Sequence, residues 1–205
     1  MRFSLEHPLK QASQNKADII VFPELTICPE LKDRVSQWLD DNPDHPFMLI
    51  LPGTFHVTLK GKVFNSGEMF DRFGRPVLSH YKLTTSGPKE KPEKISTGRR
   101  IELLDTPIGL IAMPICLDFC DERSPFNGLW DEISAEWLLV PAYGGKTSIT
   151  AHLRKAETLQ RSHSAVSVVA NQDPQGRDKH HGFVCHDRKE QENITNERRV
   201  IRIKI

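Results

Sequence analysis

The sequence has no apolar run that approaches the ~20 residues of a membrane-spanning helix. Its first residues lack the apolar core of a secretory signal peptide. It also lacks an excess of either charge, because 28 basic and 27 acidic residues give a formal net charge of +1. These absences predict a cytoplasmic protein with no membrane partner and no electrostatic attraction to nucleic acid.

Cysteine is scarce, with four residues scattered over 205. A chain of this size can bury a substantial core and has no need of a small disulfide framework. We therefore expect free thiols that are available for chemistry, in a single domain that spans residues 1–205.

Apolar runs rich in β-branched residues predict strands, and apolar residues at helical spacing predict helices. Residues 65–66 and 71–74 carry turn signals, and residues 84–100 form a long loop rich in Pro, Gly and Lys. The predicted strands are residues 17–22, 47–51, 77–83, 108–115, 137–140, 165–170, 183–185 and 200–205, with a hairpin at 54–63 and helices at 1–16, 29–41 and 148–162. This mixture predicts a sheet-rich α/β domain with helices on its outer faces.

Four chemically active side chains lie at predicted strand ends or in the long loop. Glu24 follows the first strand, Lys82 ends a later one, Glu93 lies in the loop, and Cys116 ends the strand at 108–115. The end of a buried strand is where an α/β protein presents a nucleophile. Singly, each side chain also has an ordinary explanation, such as an exposed charge or an inert buried thiol. Their order along the chain is therefore the more informative signal.

That order, with the local pattern around each residue, resembles the nitrilase (carbon–nitrogen hydrolase) superfamily. The resemblance extends from residue 17 to Asn171. The matching positions are residues 17–24, Gly53, Asn65, Ser66, 71–74, Tyr81, Lys82, 93–98, 106–109, 115–118, Pro141, Ala142, Arg161 and 169–171.

The resemblance implies a four-layer α-β-β-α sandwich and hydrolysis of a non-peptide carbon–nitrogen bond. A carboxamide is the favoured substrate, with a nitrile or an N-carbamoyl compound as the other choices. The implied nucleophile is Cys116, which forms a thioester, and Glu24 is the base that removes its proton. Lys82 would stabilise the developing oxyanion, and Glu93 would hold Lys82 or the substrate amide.

Three further residues are predicted to surround the substrate. The backbone N–H of Leu117 is the expected second oxyanion donor. Asp118 favours amide chemistry, and Tyr143 is a pocket-lining candidate because loops after strands line the same mouth. The resemblance implies no cofactor, and it implies homodimers or larger assemblies.

The sequence departs from the superfamily pattern at its beginning, because the usual first strand is missing before residue 17. The chain is then a truncated product or a domain of a larger polypeptide, and an alternative function is a catalytically silent module for assembly or ligand sensing. A zinc site is a chemical alternative, since Cys116 and Cys120 are four residues apart and His180, His181, Cys185 and His186 follow. Cys116 is better explained as a nucleophile, so no metal is expected.

Overall fold

The computed structural model describes residues 5–87, 90–122, 126, 128–173, 181–187 and 190–194. Its helices are α1 Glu6–Gln14, α2 Pro29–Asp41, α3 Leu117–Cys120, α4 Leu129–Ile133 and α5 Lys146–His163. Its strands are β1 Ile19–Val21, β2 Leu49–Leu51, β3 Thr54–Leu59, β4 Lys62–Asp71, β5 Pro76–Tyr81, β6 Leu104–Thr106, β7 Gly109–Ala112, β8 Trp137–Tyr143, β9 Val166–Gln172, β10 Gly182–Asp187 and β11 Glu190–Ile194.

The strands form two sheets. In the first sheet the order is β1-β2-β4-β3, with β5 also paired to the long strand β4. In the second sheet the order is β11-β10-β9-β8-β7-β6. The central strands β7, β8 and β9 are parallel, so their carboxyl ends lie at one edge of the second sheet.

Three apolar cores separate four layers. Leu51 and Met69 of the first sheet pack against Ile111 and Leu139 of the second, which joins the sheets face to face. A second core lies between the first sheet and helices α1 and α2, and a third lies between the second sheet and helices α3, α4 and α5. This is the α-β-β-α sandwich that the family resemblance implies.

Most predicted elements are present, and α2 has the predicted bounds. The turn predicted at Asn65 and Ser66 is wrong, because both residues lie in β4 and pair with His56 and Phe55 of β3. Strand β7 ends at Ala112, earlier than predicted. Helices α3 and α4 were not predicted, because four or five residues are too few to show helical periodicity. The strand predicted at 200–205 lies outside the described residues.

None of the helices in the described ranges is long and apolar enough to cross a membrane.

Candidate active site

The candidate base and the candidate nucleophile are anchored on the same strand. Glu24 follows β1 of the first sheet, and its backbone N–H donates to the carbonyl of Ala142 at 3.2 Å. Cys116 follows β7 of the second sheet, and its N–H donates to the carbonyl of Pro141 at 2.9 Å. The carbonyls of Pro141 and Ala142, which are consecutive in β8, therefore hold the segment that follows β1 and the segment that follows β7 next to each other.

Lys82 links the two candidate carboxylates. Its Nζ donates to Glu24 Oε1 and to Glu93 Oε2, each at 2.8 Å. The side chain of Lys82 is only 1% exposed, so this ammonium is held within the protein between two carboxylates. The structure thus brings Glu24, Lys82 and Glu93 together, as the sequence predicts.

Two neutral side chains complete this network and were missed as site residues. Asn65 is fully buried, and its Nδ2 donates to Glu24 Oε1 at 2.8 Å and approaches Glu93 Oε1 at 3.5 Å. The hydroxyl and the backbone N–H of Ser86 donate to Glu93 Oε2 at 2.8 and 3.1 Å. Asn65 could have been identified as a site residue, because a polar amide is unusual inside an otherwise strand-forming segment. No feature of the sequence marks Ser86 as a site residue.

Cys116 lies in a strained turn between β7 and α3. Its φ of 49° and ψ of −111° are unusual for a residue with a Cβ. Its Sγ is 3.8 Å from the carbonyl oxygen of Tyr143. Leu117 is the first residue of α3, so its backbone N–H has no carbonyl one turn earlier in the helix to which it could donate. No hydrogen-bond partner for this N–H is found among the described residues. The sharp turn thus places a thiol and an available N–H donor side by side.

Asp118 contacts the segment that carries Lys82. Its buried carboxylate accepts hydrogen bonds from the N–H groups of Leu83 and Thr84 at 2.9 and 2.7 Å, and it lies 3.0 Å from Nε2 of His80. These partners flank Lys82 in the chain. The Asp118 carboxylate therefore ties α3 to the segment carrying Lys82, and its predicted contact with substrate stays a prediction.

Two other features frame the site. Tyr143 is 39% exposed, and its carbonyl oxygen is the atom that lies 3.8 Å from Cys116 Sγ. Its predicted contact with substrate stays a prediction. Gly98 donates its N–H to the carbonyl of Lys82 at 2.8 Å, and a Cβ at this position would overlap the Tyr81 carbonyl oxygen. The long loop therefore returns against the strand end that carries Lys82.

The two carboxylates beside Lys82 differ in basicity. Burial raises the pKa of Glu24 above its ordinary value, although Lys82 opposes this shift. Burial also acts to raise the pKa of Glu93, but there the Lys82 ammonium and the hydrogen bonds from Ser86 outweigh it, so the pKa is lowered. Glu24 is therefore the better proton acceptor, and Glu93 is the carboxylate that remains ionised.

The nucleophile and the cation also have shifted pKa values. Burial acts to lower the pKa of Lys82, but Glu24, Cys116 and Glu93 outweigh it and raise the pKa, so Lys82 stays charged. Burial and the Glu24 charge raise the pKa of the Cys116 thiol, and Lys82 only partly offsets them. The resting site therefore holds a protonated thiol beside a carboxylate of raised basicity.

The zinc alternative receives no supporting geometry. In the described ranges there is no cluster of three or more His, Cys, Asp or Glu side chains that could hold a metal ion. Cys116 and Cys120 have separate partners, the Tyr143 carbonyl and the His152 ring. His180 lies outside the described residues.

No protein-family model matches the chain, and no curated protein matches it. Solved structures do match it. Nit3 of Saccharomyces cerevisiae, a member of branch 10 of the nitrilase superfamily, gives a TM-score of 0.68 at 18% identity, over 94% of this chain and 78% of Nit3. The NitN amidase of Nesterenkonia sp. AN1 gives a TM-score of 0.68 at 16% sequence identity, over 93% of this chain and 81% of the amidase.

A variant of that amidase carries the acetamide moiety of fluoroacetamide, added covalently at its active-site cysteine. It gives a TM-score of 0.69 at 16% identity, over 93% of this chain and 79% of the variant. At these identities the similarity establishes the fold. The chain has the nitrilase-superfamily fold, as its sequence motifs predict.

Proposed function

We propose that this protein hydrolyses a non-peptide carbon–nitrogen bond, most favourably that of a small carboxamide, through a thioester on Cys116. One observation carries the proposal: a buried Glu24–Lys82–Glu93 network, with both Lys82 contacts at 2.8 Å, whose Glu24 carboxylate is in hydrogen-bond contact with the Cys116 thiol at a strained strand-to-helix turn. A buried charge network is costly to maintain and is common at functional sites.

The pKa directions support general-base attack in place of a preformed thiolate. Because the pKa of the Cys116 thiol is raised, little thiolate exists before substrate binds. Glu24 then takes the thiol proton as the sulfur–carbon bond forms. In the described part of the chain the hydrogen bonds from Asn65 and Lys82 both end on Glu24 Oε1, so Oε2 is the oxygen available for that proton.

The oxyanion would lie between Lys82 and the backbone N–H of Leu117. A preorganised donor aimed at a developing oxyanion contributes about 3 kcal/mol of transition-state stabilisation. Protonated Glu24 then gives its proton to the leaving nitrogen, and ammonia or an amine departs. Water, activated by Glu24, attacks the thioester carbon and releases the acid and the Cys116 thiol.

Glu93 has a supporting role in this mechanism. Its ionised carboxylate balances the charge of Lys82 and, with the Ser86 hydrogen bonds, fixes the direction of the ammonium. Lys82 is thereby kept as a cation with a single orientation, which an oxyanion donor needs.

The test is an ammonia-release screen over short amides, nitriles and N-carbamoyl compounds. We expect turnover of at least one carboxamide, and its loss in Cys116→Ala. The matched control is Cys28→Ala, which removes a thiol from the start of α2, outside the network, and should keep full activity. Activity that survives in Cys116→Ala would overturn the mechanism.

The silent-module alternative is separated by labelling. Iodoacetamide carries a carboxamide that the site can bind, and Glu24 can take the Cys116 proton as the sulfur is alkylated. Modification of Cys116 that becomes slower in Glu24→Gln, with the peptide mapped by mass spectrometry, supports the enzyme even where the screen lacks the true substrate. A folded protein that releases no ammonia and whose Cys116 stays unmodified rejects the proposal in favour of a silent module.

A further inference from the structure

Asn65 is a neutral side chain enclosed among the three charged groups of the candidate site. It is fully buried in β4. Its Nδ2 donates to Glu24 Oε1 at 2.8 Å and lies 3.5 Å from Glu93 Oε1. Its backbone carbonyl accepts the N–H of Lys82 at 2.9 Å. Asn65 therefore contacts all three charged residues, and its side chain makes the contacts with the two carboxylates.

The carboxylates determine which way the Asn65 amide is turned. An ionised carboxylate only accepts hydrogen bonds, so Nδ2, and not Oδ1, must face Glu24 and Glu93. The buried Oδ1 has no hydrogen-bond partner among the described residues. Strand interiors favour β-branched and aromatic residues, so the strand itself does not explain an amide at this position. The contact that explains it is the one between Nδ2 and Glu24 Oε1.

That contact fixes the orientation of the Glu24 carboxyl group. Asn65 Nδ2 and Lys82 Nζ both donate to Oε1, each at 2.8 Å, and they come from β4 and from the segment after β5. Two donors on one oxygen oppose rotation of the carboxyl group and leave Oε2 for the thiol proton. The Cys116 thiol is the other hydrogen-bonding side chain beside Glu24.

The same amide separates the two carboxylates that share Lys82. Glu93 takes its short hydrogen bonds on Oε2, from Lys82 and from Ser86. Its Oε1 and the Oε1 of Glu24 both lie within reach of Asn65 Nδ2. Neighbouring carboxylates without a donor between them tend to share a proton, which would occupy the base. The N–H groups of Asn65 oppose that sharing.

We propose that Asn65 is a positioning residue that holds the Glu24 carboxylate ready to take the Cys116 proton. The inference rests on the proposed amide hydrolysis, in which Glu24 is the base. Asn65 acts through Glu24 and transfers no proton itself. The titratable groups that face Glu24 in the described part of the protein are Lys82, Glu93 and Cys116, and substitutions of Asn65 leave all three in place.

The experiment follows the protonation of Glu24 directly. Glutamate carboxyl carbons are isotopically labelled in the full-length protein, and the Glu24 signal is assigned by its absence in Glu24→Gln. Titration by nuclear magnetic resonance then gives the pH midpoint of Glu24 without any need for turnover. The rate of Cys116 alkylation by iodoacetamide is measured over the same pH range, with the peptide mapped by mass spectrometry.

Asn65→Leu keeps the size of the side chain and removes the donor. Because the lost hydrogen bond stabilises the ionised form of Glu24, its midpoint should rise by about 1–2 pH units, and the acidic limb of the alkylation profile should move with it. Asn65→Asp places an acid against Glu24, so the two should share a proton up to a still higher pH. The matched control is Asn15→Leu, which removes an exposed amide bonded to the Gln11 carbonyl and should leave the midpoint unchanged.

The inference is overturned if the Glu24 midpoint of Asn65→Leu equals that of the control, or if Cys116 alkylation does not follow a raised midpoint. A raised midpoint in proteins that release no ammonia and whose Cys116 stays unmodified supports the effect of Asn65 on Glu24 and rejects the hydrolysis instead. If Asn65→Leu does not fold, Asn65→Asp decides. Failure of that variant to fold even at acidic pH, where its new carboxyl is protonated, would make Asn65 a structural residue and overturn the inference.

Discussion

The contact between Asp118 and the segment carrying Lys82 leads to the sharpest prediction. Asp118→Ala removes the acceptor for the buried N–H of Leu83, for the partly buried N–H of Thr84 and for the buried ring of His80. A hydrogen bond to a charged group is worth about 1.5–3 kcal/mol, and Asp118 makes three such contacts. Since contributions to one cluster are not additive, we expect a loss of about 3–5 kcal/mol in the free energy of unfolding.

The conservative variant distinguishes charge from hydrogen bonding. Asp118→Asn keeps Oδ1 for the N–H groups of Leu83 and Thr84, so it should lose only about 1–2 kcal/mol, mainly from the contact with His80. If amide turnover is found, Asn should retain more of kcat than Ala, because the direction of Lys82 depends on those two N–H groups.

Urea unfolding followed by circular dichroism measures the free energies. Asp105→Ala is the matched control, because that carboxylate is exposed in β6 and its removal should change stability by less than about 0.5 kcal/mol. The reasoning is refuted if Asp118→Ala is as stable as this control, or if Asn and Ala variants of Asp118 are equally impaired.

Three other changes have defined outcomes. Glu24→Gln keeps an oxygen for the bonds from Lys82 but loses the base, so amide turnover should fall about 10²–10⁴-fold with a near-native unfolding curve, and unchanged turnover would exclude Glu24 as base. Gly98→Ala places a Cβ against the Tyr81 carbonyl, so the free energy of unfolding should fall by about 1–3 kcal/mol, which thermal unfolding would show as a lower midpoint temperature. A higher midpoint would show that the loop can shift to make room for the Cβ. The folded-state pKa of Glu93 is lowered, so its stabilising contribution is present above its ordinary value of 4.5 and is lost as pH falls through the folded value. Urea midpoints of wild-type protein should therefore fall more steeply below about pH 4.5 than those of Glu93→Gln, and parallel curves would contradict this.

The candidate site could be predicted from sequence where local pattern and chain order were sufficient. Glu24, Lys82 and Cys116 each follow a recognisable strand, and the superfamily resemblance sets their order. The contacts of Lys82 with Glu24 and Glu93 then agree with the expected grouping. Their catalytic roles remain predictions.

The features that sequence reasoning missed depend on distant partners. Asn65 has the local preference of a turn residue, but pairing with β3 and a bond to Glu24 hold it inside a strand. Asp118 is close in sequence to Cys116, and only the fold shows that its carboxylate contacts Leu83, 35 positions away. Local patterns in a single sequence do not reveal which face of a short helix meets which strand end.

The shared anchorage on β8 has a consequence for unfolding. Glu24 comes from one sheet and Cys116 from the other, and the carbonyls of Ala142 and Pro141 hold them. Glu24 and Cys116 therefore lie together only while the two sheets are packed against each other. A slight separation of the sheets would disrupt the site without unfolding any strand. Loss of turnover should precede loss of circular dichroism during denaturation, so that activity would serve as a sensor of inter-sheet docking.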